Sequence, residues 1–346
     1  METAAPASRP DSGPIVPAMA RGSELSYSIV VPTKDRHDVV LVALDNALAQ
    51  TRAPDRIVIV DSSEQPLALP EPIRARAAAA GVDLSVLHAR PSTSAQRNEG
   101  VRHVESSVVL FLDDDVTIPP TYADTLLRRW EREGLNALGG IVGATNPADT
   151  PGPLARLLRR LLMLHVADSR RARTFIRRSG KVWFVDRPRT EVVVPAAGAG
   201  AIAYRTDLAR RHPFDERFDG YALGEDLEMA VRLSRDGPIL QIPEAYYSHE
   251  PASGGRNARD RWYYRGRRET YFRLKRLDRS LLTRIAFAIS LVGEGGAALA
   301  ETARERDLHH VRSFARGVRE TLAELNGGLG SVEARRDTQA PGTTPE

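Results

Sequence analysis

The stretch Val108–Val116 constrains the fold of this chain more than any other. It reads VVLFLDDDV, in which five apolar residues suit a strand buried on both faces of a parallel sheet. Neighbouring carboxylates raise one another's pKa and destabilise a fold unless a cation lies among them. Asp113, Asp114 and Asp115 therefore indicate a divalent-metal site at the mouth of an open α/β sheet. A solvated acidic turn is the alternative that these three residues alone leave open.

The length of 346 residues favours one core of roughly 200–250 residues with appendages. The absence of cysteine excludes a disulfide framework and thiolate chemistry, and it fits a reducing compartment. Residues 1–24 are rich in Pro, Ala and Ser and lack the apolar core of a secretion signal, so we predict a disordered leader there. We accordingly expect a cytoplasmic protein, or one peripheral at the cytoplasmic face of a membrane.

Strand-like and helix-like segments alternate ahead of the aspartates. The strands are predicted within Tyr27–Arg36, Arg56–Asp61 and Leu84–Leu87, with helix-spaced apolar residues between them. This order predicts a mostly parallel sheet that binds ligands at the carboxyl ends of its strands. Neither a Gly-x-Gly-x-x-Gly nor a Walker lysine motif follows the first strand, which excludes ordinary dinucleotide and P-loop sites. Asp61 ends its strand and can also simply cap the turn.

The second half of the chain adds glycines, acids and a histidine. The apolar segment Pro195–Arg205 contains Gly198 and Gly200, which allow either close approach of a ligand or tight packing. Glu225 and Asp226 fall in the first turn of a predicted helix, where acids are also common as caps. His249 ends a predicted strand, a place where a histidine can bind a metal or merely make a hydrogen bond.

Three basic or apolar segments lie outside this pattern. Pro153–Lys181 carries a leucine stripe beside arginines, so it can pack on the core or lie on an anionic membrane. Arg256–Arg279 interleaves basic and aromatic residues, which suits nucleic acid or a pocket for diphosphate and sugar. Ser280–Leu299 is apolar but interrupted by charges and glycines, which favours a helix docked on the core or on a membrane surface over a spanning helix.

Several of these segments together resemble the family 2 glycosyltransferases, which have the GT-A fold. The run Phe214–Glu228 is similar to that family's Phe-Asp-Glu-x-Phe…Gly-Glu-Asp-x-Glu signature. The triplet at 113–115 matches the family's Asp-x-Asp motif. The segments that resemble the nucleotide-sugar half of the family are Ser28–Arg36, Ile57–Asp61, the Arg97-Asn98-x-Gly100 loop and Leu110–Val116.

The resemblance implies a role for each matching residue. Asp226 would be the general base, with Glu225 beside it, and the metal would be Mn²⁺ or Mg²⁺, with Mn²⁺ favoured by an imidazole ligand. The implied nucleotide-sugar-binding residues are Pro32, Thr33, Asp35, Arg36, Asp61, Arg97, Asp113 and Asp114; the implied metal ligands are Asp113, Asp115 and His249; the candidate acceptor-binding residues are Gly198, Gly200, Arg261 and Trp262.

The function so implied is metal-dependent, inverting transfer of a sugar from a nucleoside-diphosphate sugar to an acceptor hydroxyl. A UDP-sugar is the favoured donor, and the acceptor would be a saccharide, glycolipid or small molecule in cell-surface glycan or glycolipid assembly. Processive members of the family carry Gln-x-x-Arg-Trp. Here Arg261-Trp262 is kept, but Ala258 replaces the Gln, which argues for a non-processive enzyme.

Two other classes of function stay open from the sequence. A sugar-1-phosphate nucleotidyltransferase also uses aspartates on an α/β fold, but its Gly-rich, Arg-containing loop is missing after the first strand. A non-enzymatic nucleic-acid or membrane-binding module would explain the arginine-aromatic segment and leave the acids and His249 without a role.

The predicted organisation follows from these segments. We expect a disordered leader at 1–24, a GT-A domain at 25–250, a basic-aromatic helical extension at 251–328 and a disordered tail at 329–346. Within the domain, 25–118 is the nucleotide-sugar half, 119–193 a connection with the basic amphipathic insertion, and 194–250 the acceptor and catalytic half. The fold class is α/β, an open, mostly parallel sheet with helices on both faces, followed by a helical extension.

Overall fold

The computed structural model describes residues 25–145, 152–167, 174–185, 187–195, 197–198, 200–217, 224–250, 261–276 and 280–336. The predicted leader and the end of the predicted tail lie outside these ranges. The strands are β1 (Tyr27–Thr33), β2 (Arg56–Asp61), β3 (Asp83–His88), β4 (Val108–Leu112), β5 (Val116–Thr117), β6 (Gly140–Thr145), β7 (Val166–Ala167), β8 (Phe175–Ile176), β9 (Val182–Phe184), β10 (Val192–Val194), β11 (Ala201–Arg205) and β12 (Ile239–His249).

The helices alternate with these strands and then continue alone. They are α1 (His37–Leu48), α2 (Glu71–Ala79), α3 (Thr93–Arg102), α4 (Tyr122–Glu133), α5 (Pro153–Leu161), α6 (Thr206–Arg211), α7 (Glu225–Leu233), α8 (Arg261–Arg276), α9 (Leu281–Glu305) and α10 (His309–Arg336), with a short 3-10 helix at Leu135–Ala137. Helix α10 extends past residue 328, where the sequence predicts the tail to begin, because Glu333, Ala334 and the two arginines after them favour a helix.

Nine strands form the main sheet among the described residues. Their order is β10-β12-β6-β11-β4-β1-β2-β3, with β5 paired to β12. Strands β1 to β4 are parallel to one another, whereas β11 runs antiparallel between β4 and β6. This is the predicted mostly parallel α/β sheet, and it brings the ends of β1, β2 and β4 to one edge.

Strand β4 lies in the middle of the core, as its sequence predicts. All five residues from Val108 to Leu112 are buried, and Phe111 packs edge-to-face on Tyr204 and Phe214. Because β4 is covered on both faces, polar side chains can be placed only at its ends. The hydrophobic core therefore determines where the acidic edge is located.

Three helices form the C-terminal extension. Trp262 of α8, Ala298 of α9 and Phe314 of α10 make a small separate core, in which the two aromatic rings meet edge-to-face at 6.2 Å. Helix α9 is the one described helix that is long and apolar enough to cross a membrane by length and composition, and 33% of that window is buried inside the protein. Helix α9 is the helix expected in Ser280–Leu299, and it continues through Gly293, Gly295 and Gly296.

Substitution of Gly100 tests the packing of α3 on the sheet. A Cβ atom at this position would lie 2.3 Å from Cγ1 of Val30 in β1, so helix and strand fit only without a side chain. We expect Gly100→Ala to lower the free energy of unfolding by about 1–3 kcal/mol, because the buried contact is overpacked. Urea denaturation measures the change.

Two variants control this experiment. Gly152→Ala adds the same methyl group where no atom lies within 4 Å, so its free energy of unfolding should stay within about 0.5 kcal/mol of the wild type. Adding Val30→Ala to Gly100→Ala should recover part of the loss. Full stability of Gly100→Ala alone would contradict the packing described for α3.

Candidate active site

The three aspartates that follow β4 lie in three different environments. Asp114 and Asp115 are buried, and the side chain of Asp113 is partly exposed. The backbone N–H of Asp113 donates to the carbonyl of Gly200 at 2.9 Å, which fixes the start of the turn. The cluster is thus a buried, partnered structure and not a solvated acidic turn.

Arg36, just before α1, bridges two of these aspartates. Its Nη2 lies 2.9 Å from Oδ1 of Asp114, and its Nη1 lies 3.2 Å from Oδ2 of Asp115. The hydroxyl of Thr33 also donates to Oδ2 of Asp114 at 2.7 Å. Burial raises the pKa of Asp114 to about 6, while Arg36 and Thr33 act in the opposite direction. The end of β1 and the end of β4 are therefore held together by charge.

His249 reaches the same edge through the pairing of β5 with β12. In this register His249 lies opposite Val116, the residue after the aspartates. Its Nε2 is 3.1 Å from Oδ1 of Asp115. Two adjacent ligands of an octahedral cation with bonds of about 2.1 Å would be about 3.0 Å apart. Asp115 and His249 therefore fit one shared divalent cation, and carboxylate with imidazole is a donor set that favours Mn²⁺ over Mg²⁺.

Arg97 connects this edge to the first turn of α7. Its Nη2 donates to Oδ1 of Asp113 and its Nη1 to Oε1 of Glu225, both at 2.6 Å. The guanidinium is buried, with its Cζ 5.3 Å from the ring centroid of Phe214. Burial alone would lower the pKa of Arg97, but the surrounding carboxylates raise it, so this side chain stays charged. Sequence reasoning expects Arg97 on the nucleotide and misses this bridge between two carboxylates.

Glu225 and Asp226 are neighbours in sequence but differ in environment. Glu225 is buried, and its Oε2 has no hydrogen-bond partner among the described residues. Burial, and next the charge of Asp226, raise the pKa of Glu225 to about 8 against the effect of Arg97. Asp226 is partly exposed, and its Oδ1 accepts a hydrogen bond from the N–H of Leu227 at 2.7 Å. Of the two acids, Asp226 is the one that an incoming hydroxyl can reach.

The glycines of the predicted acceptor segment lie beside these acids. A Cβ at Gly198 would be 3.5 Å from Oδ2 of Asp226, so the glycine keeps the space next to this carboxylate open. Gly200 lies against Tyr247 and Val116, and its carbonyl accepts the hydrogen bond from Asp113. The segment therefore lies between the two acidic groups, and the part of its glycines in ligand approach stays a prediction.

Three of the residues predicted to bind the nucleotide lie at the ends of β1 and β2. Asp61 is buried and accepts hydrogen bonds from the N–H and hydroxyl of Ser63 and the N–H of Leu67, at 3.0, 2.5 and 2.8 Å. Both of its carboxylate oxygens thus fix their own loop, which is the capping alternative left open by the sequence. Asp35 adopts φ +52° and donates its N–H to the hydroxyl of Ser63 at 2.7 Å. Pro32 is buried within β1.

Arg261 and Trp262 lie in the C-terminal helices. Trp262 is buried against Phe314, and Arg261 forms an ion pair with Glu301 of α9. These contacts give both residues a packing role. Their part in binding an acceptor stays a prediction.

Two polar residues of α3 support the site, and the sequence signal for them is weak. Nε2 of Gln96 donates to the carbonyls of Thr33 and Val60 at 2.7 Å each, so it fixes the ends of β1 and β2. The side-chain amide of Asn98 donates to the carbonyl of Phe214 at 2.9 Å and accepts from the N–H of Phe214 at 2.8 Å. In the sequence, the one signal for Gln96 and Asn98 is that polar residues recur along a helix predicted to face the sheet edge.

The pKa of Glu225 predicts a pH dependence of stability. Because the folded-state pKa of about 8 lies above the usual 4.5, the folded protein binds more protons than the unfolded chain between these values. The free energy of unfolding should therefore fall as the pH rises through this window. Glu225→Gln should flatten the fall by about 1 kcal/mol or more, measured by urea denaturation at several pH values.

The exposed Glu105→Gln is the matched control and should keep the wild-type slope. An unchanged slope in Glu225→Gln would mean that Glu225 is ionised at neutral pH beside Arg97.

Solved structures with this fold include glycosyltransferases. A structure of GalNAc-T7 with UDP, GalNAc and Mn²⁺ superposes with a TM-score of 0.52 at 12% identity, covering 78% of this chain and 55% of that one. The chain thus spans little more than half the length of GalNAc-T7. A mannosyltransferase of Pyrobaculum calidifontis with GDP-Man and Mn²⁺ gives 0.49 at 16% identity, covering 90% of both chains. TarS of S. aureus, residues 1–349, gives 0.46 at 16% identity, covering 86% of this chain and 92% of that one.

The family comparison agrees with the fold. No curated protein sequence matched the chain. Residues 28–187 match the family model described as Glycosyl transferase family 2, a region that begins in β1 and contains the aspartates, Arg36 and Arg97. Residues 28–187, a little under half of the chain, therefore match family 2 of the glycosyltransferases, and the chain has the GT-A fold of a solved glycosyltransferase.

Proposed function

We propose that the protein is a metal-dependent, inverting glycosyltransferase that uses a nucleoside-diphosphate sugar. One observation carries the proposal: the pair Asp115–His249 and the acids Glu225 and Asp226 border the same edge of the sheet, joined through Arg97 and Asp113. A cation site on one side and a reachable carboxylate on the other are what displacement of a diphosphate by a hydroxyl requires.

The donor is expected at the ends of β1, β2 and β4. Thr33, Arg36 and Asp114 form a connected polar wall there, and Asp35 and Asp61 lie on the adjoining loops. The GalNAc-T7 structure, which has this fold, contains UDP and Mn²⁺. We therefore favour a UDP-sugar, with Asp35 toward the nucleoside, Asp61 holding the loop beside it, and Asp113 toward the ribose.

A divalent cation, with Mn²⁺ preferred, would be held by Asp115 and His249, next to Asp113. Such an ion offsets the negative charge that grows on the departing diphosphate. The protein's own part is to hold these ligands in position. Arg36 orients the Asp115 carboxylate through Oδ2, which leaves Oδ1 directed toward His249.

Asp226 is the proposed general base. Its partly exposed carboxylate would accept the proton of the acceptor hydroxyl as the oxygen attacks the anomeric carbon, and a single displacement inverts the configuration. Glu225 is a positioning residue, because its burial raises its pKa and its oxygen holds Arg97. Arg97 in turn holds Asp113 at the donor side, so the base and the donor site keep a fixed separation.

The acceptor enters, in this proposal, past Gly198, where the missing side chain leaves room beside Asp226. A saccharide, a glycolipid or a small-molecule hydroxyl all have the required chemistry. The missing Gln before Arg261-Trp262 favours single transfer over processive synthesis. Assembly of cell-surface glycan or glycolipid is the setting that we propose.

Donor binding should depend on Mn²⁺. Ligands that bind only the folded state raise its apparent stability, so a UDP-sugar plus Mn²⁺ should raise Tm, and chelation by EDTA should cancel the shift. Asp115→Asn should abolish the metal-dependent part. Asp236→Asn, which changes an exposed carboxylate after α7, is the control and should keep it. A wild-type protein that no nucleotide sugar stabilises with Mn²⁺ would contradict the proposed donor site.

Asp226→Asn separates catalysis from binding. The variant should lose about 10²–10⁴-fold in kcat, the range expected of a positioned general base, and keep its Mn²⁺-dependent Tm shift with the donor. The measurement is transfer from the stabilising nucleotide sugar to a panel of acceptors, with Asp236→Asn again as control. Normal turnover by Asp226→Asn would remove Asp226 from this role.

A further inference from the structure

Helix α5 exposes its apolar side. Leu154, Leu157, Leu158 and Leu161 recur at the spacing of one helical stripe, and each is between 47% and 69% exposed. No residue of this helix is buried. An amphipathic helix of a soluble protein normally turns such a stripe toward the core, and α5 does not.

Helix α9 also exposes large apolar residues, over a greater length. Its buried side carries small and polar residues: Thr283, Ala286, Ser290, Gly293, Glu294, Ala298 and Thr302. Its exposed side carries the large apolar residues Leu281, Ile285, Val292 and Leu299, which are 48% to 71% exposed. Hydrophobic burial inside the protein cannot explain this distribution, because the residues that would gain most from it are outside.

The two helices are neighbours. A Cβ at Gly293 of α9 would lie 2.9 Å from Cβ of Leu162, directly after α5, and 3.0 Å from Leu164. Next to this contact, Nζ of Lys181 is 2.8 Å from Oε1 of Glu294, and Nε of Arg265 is 3.0 Å from its Oε2. The polar side of α9 is thus held by a buried ion pair, and the apolar side faces outward from a fixed position.

The charge around the apolar residues of α5 and of the first half of α9 has one sign. The segments 153–164, 175–184 and 281–293 contain no Asp or Glu. Their basic residues at the surface are Arg156, Arg159, Arg160, Arg177, Arg178 and Arg284, whereas Lys181 is buried against Glu294. A surface that combines exposed leucines with arginines and lacks acids is complementary to anionic lipid headgroups above an apolar layer.

We propose that this surface docks the protein peripherally on an anionic lipid bilayer. The docking face consists of Leu154, Leu157, Leu158 and Leu161 of α5 and Leu281, Ile285, Val292 and Leu299 of α9. A second copy of the chain is a poorer occupant, because a two-fold contact would bring these arginines together. Peripheral binding is favoured over spanning, because a spanning α9 would have to expose Glu294 and its other buried polar residues to lipid.

Co-sedimentation of the full chain with vesicles tests the proposal. The protein should bind vesicles of phosphatidylcholine mixed with phosphatidylglycerol, bind phosphatidylcholine alone weakly, and be released by high salt or alkaline carbonate. The double variant Leu157→Gln/Val292→Gln should weaken binding by about tenfold or more per side chain. Arg159→Gln/Arg284→Gln should weaken it by about fivefold per arginine.

Matched controls come from exposed residues elsewhere. Val42→Gln/Val193→Gln alters two equally exposed valines outside the docking face and should bind as the wild type does. All variants change surface side chains, so their Tm values should match.

Three results would overturn the proposal. These are failure of the wild type to bind anionic vesicles, unchanged binding by Leu157→Gln/Val292→Gln, and retention of the wild type after carbonate extraction. Sedimentation velocity adds a fourth: a dimer that this double variant dissolves would assign the surface to a second copy.

Discussion

Accumulation of carboxylates at the end of a buried strand is the constraint on which this structure depends. Strand β4 is covered on both faces, so its last residues must place Asp113, Asp114 and Asp115 in a confined space. Burial makes each negative charge costly, and their mutual repulsion adds to this cost. Two arginine side chains from other elements offset this cost: Arg36 from the β1–α1 turn and Arg97 from α3.

This distribution of charge also explains why the site extends across the sheet. The planar guanidinium of Arg97 donates hydrogen bonds from both terminal nitrogens, one to Asp113 and the other to Glu225, which lie in distant segments of the chain. Through it, the first turn of α7 is held against the end of β4. Asp115 receives Arg36 on one oxygen and faces His249 with the other. The partner of each aspartate therefore determines its environment, although the three are adjacent in sequence.

The C-terminal helices differ from the sheet in which residues they bury. In the sheet, apolar residues are inside, as the hydrophobic effect requires. In α9, the inside is small and polar, with a buried ion pair, and the large apolar residues are outside. The same physical effect accounts for both arrangements if the outer surface of α9 meets an apolar medium, which is the basis of the proposed membrane contact.

The sequence by itself determined strands β1 to β4, their alternation with helices, and which acids and histidine are candidates for the site. Those features are local: a run of apolar residues, a breaker, and a polar residue at a strand end. It also indicated the family: the motifs at Ser28–Arg36 and Leu110–Val116 lie inside the region that the family model matches. Only the tertiary structure decided that Asp61 fixes its own loop, that Arg97 bridges two carboxylates, and that the leucines of α5 face outward. Each of these depends on which distant segment packs alongside, and helical or strand periodicity within one segment carries no information about that neighbour.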